Sequence, residues 1–407
     1  MRIIAISQYF PPDMGGGSRR ASNVLQALEK RGHKITVITA FPHYPHGKVP
    51  TEYRGKAFTR EKKNGMTIFR TWVPSIPHKG FLRRLIMYLV FAFSALFVLP
   101  FSGKVDIIWA ANTNIFSSFP GIFYSIFKRS PLIRNIDDLW PETAVEEGVM
   151  SSGFILRLGE FLAKIAYTLC VAITPISQSY TDNIVEKYGI PREKFRVIEH
   201  GVDVKVFRPV GMHKTLIHPL CKNRFIAMYT GVLGPGYNFD LLLRTAKLME
   251  NVSDFILVIR GFGPRALALE KIAKKMDLKN TIILTNRLSI DELNIVMSSA
   301  DVLLLPMNPM PAHEAGIPTK LLEYMACSRP ILVCSTGEPA FFIKRTKAGI
   351  VVNNEPLVMA SAITKLKTNA DLRKELGENG RKYVIKHLSI ERIGQRMERL
   401  FEQVRNQ

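Results

Sequence analysis

The sequence is short of cysteine, short of acid and free of repeats. Its four cysteines, Cys170, Cys221, Cys327 and Cys334, form no CxxC pair and have no histidine at ligand spacing. A zinc ribbon and a disulfide framework are therefore excluded, and free thiols in a reducing compartment are expected. Acids number 34 against 56 lysines and arginines, a formal net charge of +22. That excess calls for an anionic partner: nucleic acid, anionic lipid or phosphorylated small molecules. No nucleic acid is expected, because no basic run is interleaved with aromatics and no nucleic-acid motif is present. The apolar start RIIAIS meets Pro11 and Pro12 instead of a cleavage site, so it reads as a first strand and not as a signal peptide. A cytoplasmic protein, peripheral on the cytosolic face of the cell membrane, is the expected location.

Long uncharged runs are also scarce. The stretch from Leu85 to Phe101 carries no charge. As helix it would span roughly 26 Å, under a bilayer core of about 30 Å. A crossing would also divide the strands of one sheet between two sides of a membrane. Two readings remain for residues 81–101: a buried core helix, and, preferred, a helix lying in the membrane interface. In the second, Phe91, Phe93 and Phe97 enter the lipid. Arg83 and Arg84 end a stretch from Glu52 with nine basic residues against two acids, and they meet an anionic membrane surface.

What is abundant is alternation. RIIAIS, HKITVITA, MTIFRTWVP, VDIIWAAN, PLIRNIDD and VAITPIS read as strands separated by turns and amphipathic helices. After the turn-rich IEHGVDVKVFRP the pattern restarts with RFIAMYTG, DFILVIRGFGP, TIILTN, DVLLLPM, PILVCS and GIVVNN. This is an α/β pattern, and it predicts two doubly wound Rossmann-like domains facing across a cleft. The expected bounds are residues 1–205 for the first, 206–388 for the second and 389–407 for a final helix packing back on the first. Ligands of such sheets lie off the carboxyl ends of the strands.

Glycine-rich turns follow several of these strands. Gly16 and Gly17 precede a helix whose first turn holds Arg19 and Arg20. Gly231 and Gly234 follow RFIAMYT, and Gly261 and Gly263 follow DFILVIR. Gly316 and Ile317 precede the helix that begins at Thr319 and Lys320. Glycine lets backbone approach a ligand, and helix N-termini attract anions. Each turn alone is weak evidence, since most merely reverse the chain; the four together point to a phosphate-bearing ligand. Asp137 and Asp138 follow a strand in NIDDLWPE, where a carboxylate can position an acceptor hydroxyl or take its proton, or simply cap the next helix. His200 and His313 read as surface histidines near turns, and Glu142, Glu146 and Glu147 as a solvated helix face.

GVLGPGYNFDLLL, RGFGP, SADVLLLP and PTKLLEYMACSRPI resemble, in order and spacing, the GT-B glycosyltransferases of family 4. DDLWPE, IEHGVDVKVFRP and YFPPDMGGGSRR are similar to the branch acting on lipid-linked sugars in cell-surface polysaccharide assembly. The resemblance spans almost the whole chain. It implies a hexosyl or N-acetylaminosugar transferase that retains anomeric configuration, with no cofactor and no metal on the diphosphate. It also implies a nucleotide sugar, UDP-linked, as donor and a polyprenyl-phosphate-linked or other lipid-linked acceptor.

Glu323 matches the family glutamate expected on the nucleotide ribose. The position of its usual partner falls on Ala315, one residue from Glu314. The usual Arg and Lys near Gly231 fall on Val232 and Tyr237. Lys320 and Arg260 are expected to supply the missing charge. The expected catalytic residues are thus Asp138, Lys320 and Arg260. The expected donor contacts are Gly16, Gly17, Gly231, Gly234, Gly261, Gly263, Glu314, Gly316, Ile317 and Glu323. The expected acceptor contacts are Arg19, Arg20 and Asp137. Two alternatives stand beside this reading: a nucleotide-sugar epimerase of the same architecture, and a catalytically weak membrane-associated partner.

Overall fold

The computed structural model describes residues 1–406 apart from Met14, Pro45, His78, Lys79, Thr113, Ser151 and Ser152, and of Asn112 the backbone alone. Gln407, the end of the expected final helix, lies outside the described residues. The chain divides into two units: Met1–Gly201 with Ile390–Gln407, and Val202–Ser389.

The first unit holds a seven-stranded sheet in the order β3-β4-β2-β1-β5-β6-β7. The strands are β1 (Arg2–Ile6), β2 (Lys34–Ala40), β3 (Phe58–Lys63), β4 (Met66–Thr71), β5 (Ile107–Asn112), β6 (Leu132–Ile136) and β7 (Ala172–Pro175). All pairs are parallel except β3–β4. Strand β3 was not legible in the sequence. FTREKK is too charged to read as core, which suits an edge strand that must not recruit another chain.

From β1 the chain steps one way to β2 and β4, then the other way to β5, β6 and β7. Right-handed crossovers therefore place the helix Gly16–Glu29 on one face of the sheet. Phe81–Ser94, Ser118–Lys128 and Phe154–Thr168 lie on the opposite face. The last helix, Ile390–Arg405, packs on Gly16–Glu29, so closely that a Cβ on Gly394 would sit 2.6 Å from the Cβ of Ala27.

The apolar segment matches neither sequence expectation whole. It is α-helical over Phe81–Ser94 and 3₁₀-helical over Ala95–Phe101. Met87, Phe91, Ala95 and Val98 are buried. The Ser94 hydroxyl donates to Thr71 Oγ1 at 3.0 Å, and the Tyr124 hydroxyl donates to the Ala95 carbonyl at 3.0 Å. Phe91, expected in lipid, is thus a core residue. Phe93 and Phe97 are each 67% exposed. One stripe of the segment belongs to the core and the other to the surface.

The second unit holds six parallel strands in the order β10-β9-β8-β11-β12-β13. They are β8 (Phe225–Thr230), β9 (Phe255–Arg260), β10 (Thr281–Leu284), β11 (Val302–Pro306), β12 (Ile331–Cys334) and β13 (Gly349–Val352). Both faces of β8, β9 and β11 are covered, which is why these strands read as unbroken apolar runs. Strand order reverses between β8 and β11. That switch point is where a doubly wound sheet opens a crevice for a ligand.

Candidate active site

At the switch point of the second unit, three turns converge. Gly231 follows β8, and its amide donates to the Arg260 carbonyl at 3.0 Å. A Cβ on Gly261 would lie 1.7 Å from the Gly231 carbonyl oxygen, and one on Gly263 would lie 2.5 Å from that of Leu233. These two glycines are required because the turns after β8 and β9 press backbone on backbone. Gly234 carries no such requirement, since its Cβ would meet only Val232, at 3.6 Å.

The third turn, Gly316-Ile317-Pro318, leads into the helix Thr319–Ala326. Tyr324 fastens that helix to the end of β8. Its hydroxyl accepts from the Thr230 amide at 2.9 Å and donates to the Thr230 carbonyl at 2.8 Å. This places the Lys320 side chain beside Gly231, where a Cβ would come within 2.5 Å of the ammonium nitrogen. Lys320 Nζ donates to the Tyr229 hydroxyl at 2.6 Å, and that hydroxyl donates to the Val232 carbonyl at 2.6 Å. The same Nζ lies 4.3 Å from the Tyr229 ring centre and 3.8 Å from that of Tyr237. Burial lowers its pKa to about 7, against the opposing pull of Glu323. The cation therefore sits in an aromatic cage close to losing its proton.

Arg260 ends β9 as a second cation, and it is buried. Its Nη1 donates to Asn286 Oδ1 at 3.1 Å. Its Nε has no hydrogen-bond partner among the described residues, and no carboxylate there forms an ion pair with it. Burial lowers its pKa, with Glu292 opposing. A buried guanidinium with an unpartnered Nε and no ion-paired carboxylate among the described residues is costly, and an arriving anion offsets that cost. Glu323 is buried on the Thr319–Ala326 helix.

Glu314 is committed elsewhere. Its carboxylate accepts from the Thr336 amide at 2.9 Å and the Thr336 hydroxyl at 2.7 Å, which fixes the turn after β12. His313 lies against Gly236, where a Cβ would meet its ring at 2.9 Å.

In the first unit the outcome is divided. Gly16 and Gly17 open the helix after β1, while the positive φ, 111°, belongs to Gly15. Arg20, expected on the acceptor, is turned inward and paired with Asp137, its Nε 2.9 Å from Oδ1. It also donates to Asn135 Oδ1 and to the Ile198 carbonyl, both at 2.7 Å through Nη2. These two residues hold each other and are not presented to an acceptor. Burial pushes the Asp137 carboxyl up to about 6, against the Arg20 charge. His200, read as a surface residue, is buried, and its pKa falls well below the usual value through burial and the nearby Arg20. Asp138 is exposed beyond β6, and Arg19 is half-buried.

Asp13 was missed, since no local pattern marks it. This buried carboxylate accepts from the amides of His43 and Tyr44, both at 2.8 Å, and burial raises its pKa to about 6. The cage residue Tyr229 and the fastening residue Tyr324 were also missed, although Tyr237, where the resemblance implies a lysine, was a signal.

Known proteins agree with this architecture. Residues 14–206 match the family described as Glycosyltransferase Family 4, and residues 217–383 match Glycosyl transferases group 1. The chain belongs to the group 1 and family 4 glycosyltransferases, with the GT-B fold. It is 24% identical over 340 residues to the putative colanic acid biosynthesis glycosyl transferase WcaI of Escherichia coli, covering 80% of this chain and 81% of that one. Its fold is shared with sucrose-phosphate synthase of Thermosynechococcus elongatus, at a TM-score of 0.73 and 17% identity, over 99% of this chain and 98% of the other. Anabaena HepE, solved in complex with UDP, superposes with a TM-score of 0.72 at 14% identity, over 99% of this chain and 100% of the other. At such identities the structural likeness speaks for the fold alone. As a glycosyltransferase of this fold, the chain carries a buried Arg260 and a half-buried Lys320 at the crevice of the second sheet.

Proposed function

We propose that this glycosyltransferase moves a sugar from a UDP-sugar to a lipid-linked acceptor in cell-surface polysaccharide assembly, with retention of configuration and without a metal. The observation that carries the reading is Arg260: a buried guanidinium at the switch point whose Nε has no partner among the described residues. Lys320 lies beside the neighbouring turn, at Gly231. A donor diphosphate is the anion these two cations fit.

When the bond from the anomeric carbon to the phosphate oxygen breaks, the electron pair stays on the diphosphate. Cations already in place stabilise that charge in the transition state. Glu323 is assigned to the ribose hydroxyls. The exposed carboxylate of Asp138 is assigned to the acceptor hydroxyl and its proton. The pathway rests on relatives such as WcaI, whose name ties it to colanic acid biosynthesis. The UDP donor draws support from HepE, which was solved with UDP. The cytosolic face of the membrane follows from a lipid-linked acceptor.

The test is calorimetry of UDP, GDP and ADP sugars in the presence of EDTA, followed by transfer to polyprenyl-diphosphate sugars. Tight UDP-sugar binding and transfer in EDTA support the reading. Binding that requires a divalent ion, or turnover of the donor sugar with no acceptor, overturns it.

A further inference from the structure

The largest unexplained feature is apolar surface on the first unit. It is not confined to residues 81–101. In the helix Ser118–Lys128, Phe123, Ile126 and Phe127 are exposed, the last at 67%. In the helix Phe154–Thr168, Phe154 is 80% exposed and Phe161 61%, with Leu158 between them. In each case the exposed residues recur at helical spacing, so they form one stripe, while the opposite stripe is buried: Ile122 and Tyr124 in one helix, Ala163 and Tyr167 in the other. All three segments lie on the same face of the sheet, and each touches a neighbour in that layer. Soluble proteins rarely expose contiguous apolar patches of this kind without a partner.

Charge selects the partner. Arg83, Lys104, Arg129, Arg157 and Lys164 are exposed on or directly after these segments. Acids are absent from Phe81–Phe101 and Ser118–Lys128. Glu160, the one acid within Phe154–Thr168, is paired with Lys187 at 2.7 Å. Bulky aromatics flanked by basic residues that form no ion pair among the described residues fit an anionic bilayer interface.

We propose that these three segments form one continuous docking surface for an anionic lipid bilayer, rather than a single interfacial helix. The inference deepens the proposed function and rests on its lipid-linked acceptor only for its purpose. Binding to acceptor-free vesicles is therefore scored separately from sugar transfer.

The test is sedimentation of the full chain with vesicles of phosphatidylglycerol and phosphatidylethanolamine, beside vesicles of phosphatidylcholine. Phe127→Ser and Phe161→Ser, outside residues 81–101, should each lower partitioning about tenfold with unchanged thermal midpoints. Arg129→Glu and Lys164→Glu should each cost about fivefold or more on the anionic vesicles and little on phosphatidylcholine. Failure of the unmodified chain to sediment overturns the proposal. So does sensitivity to Phe93 and Phe97 alone, which would leave a single helix. If Phe127→Ser instead turns a self-associated chain into a monomer without lipid, a second copy covers this face and the proposal falls. Vesicle binding with no transfer to any lipid-linked sugar would sink the acceptor assignment and leave the docking surface standing.

Discussion

Lys320 Nζ lies 3.8 Å from the centre of the Tyr237 ring, and Tyr237 stands where relatives of this fold are expected to carry a lysine. By that expectation the aromatic ring stands at a cationic position, and Lys320 reaches it from the first turn of the helix Thr319–Ala326. A lysine there opposes the helix dipole, so the arrangement is unfavourable for the free protein unless an anion lies near.

The first prediction concerns pH. Lys320 loses its proton near pH 7 in the free protein, against an ordinary value of 10.5. The donor diphosphate favours the protonated form, so binding above pH 7 should take up a proton. Calorimetry in buffers of differing ionisation enthalpy would detect it. Between the two values the unfolded chain binds more protons than the folded one, so stability should rise with pH across that window. Lys320→Met should abolish both effects and lower kcat more than donor affinity. An unchanged proton uptake in that variant would place the titrating group elsewhere.

Exchange of charge gives a second prediction. Tyr237→Lys alone should impair transfer, because two ammonium groups would meet at one site. In a Lys320→Met background the same substitution should recover part of the lost activity. Steady-state kinetics of the four proteins measures the coupling. Additive losses would mean that Tyr237 and Lys320 do not share one ligand.

Arg260→Met should weaken donor binding by about 1.5–3 kcal/mol, the range for a hydrogen bond to a charged group. Since no described carboxylate forms an ion pair with this buried guanidinium in the free protein, the variant should be no less stable. Equilibrium unfolding and calorimetry read the two quantities separately. Loss of stability with intact binding would make Arg260 structural.

The first unit offers the opposite case. Arg20→Met should destabilise by about 3–5 kcal/mol, because it leaves Asp137 buried and unpaired. Urea unfolding checks this. Asp138→Asn, at an exposed position, should leave stability unchanged and lower kcat, since an amide cannot take a proton. Wild-type turnover in that variant would remove Asp138 from the chemistry.

Sequence alone determined what depends on local pattern. Unbroken apolar runs marked the parallel strands, and the restart after IEHGVDVKVFRP marked the second unit. Turn glycines marked the ends of β8 and β9, because a close backbone approach excludes a side chain whatever the context. The two cations, Arg260 and Lys320, could be named from the glycine turns beside them, while the role expected of them rested on the resemblance.

Tertiary structure decided everything that depends on which way a side chain turns. Arg19 and Arg20 are adjacent, yet one is half-buried and the other is locked onto Asp137, a partner more than a hundred residues away. Glu314 looked available until Thr336 was found against it. Phe91 and Phe93 read alike, but helical rotation sends one into the core and the other to the surface. The aromatic cage of Lys320 joins β8, the following turn and a helix nearly a hundred residues on. No local pattern encodes such a meeting, because its stabilisation comes from packing that exists only once both halves of the sheet have formed.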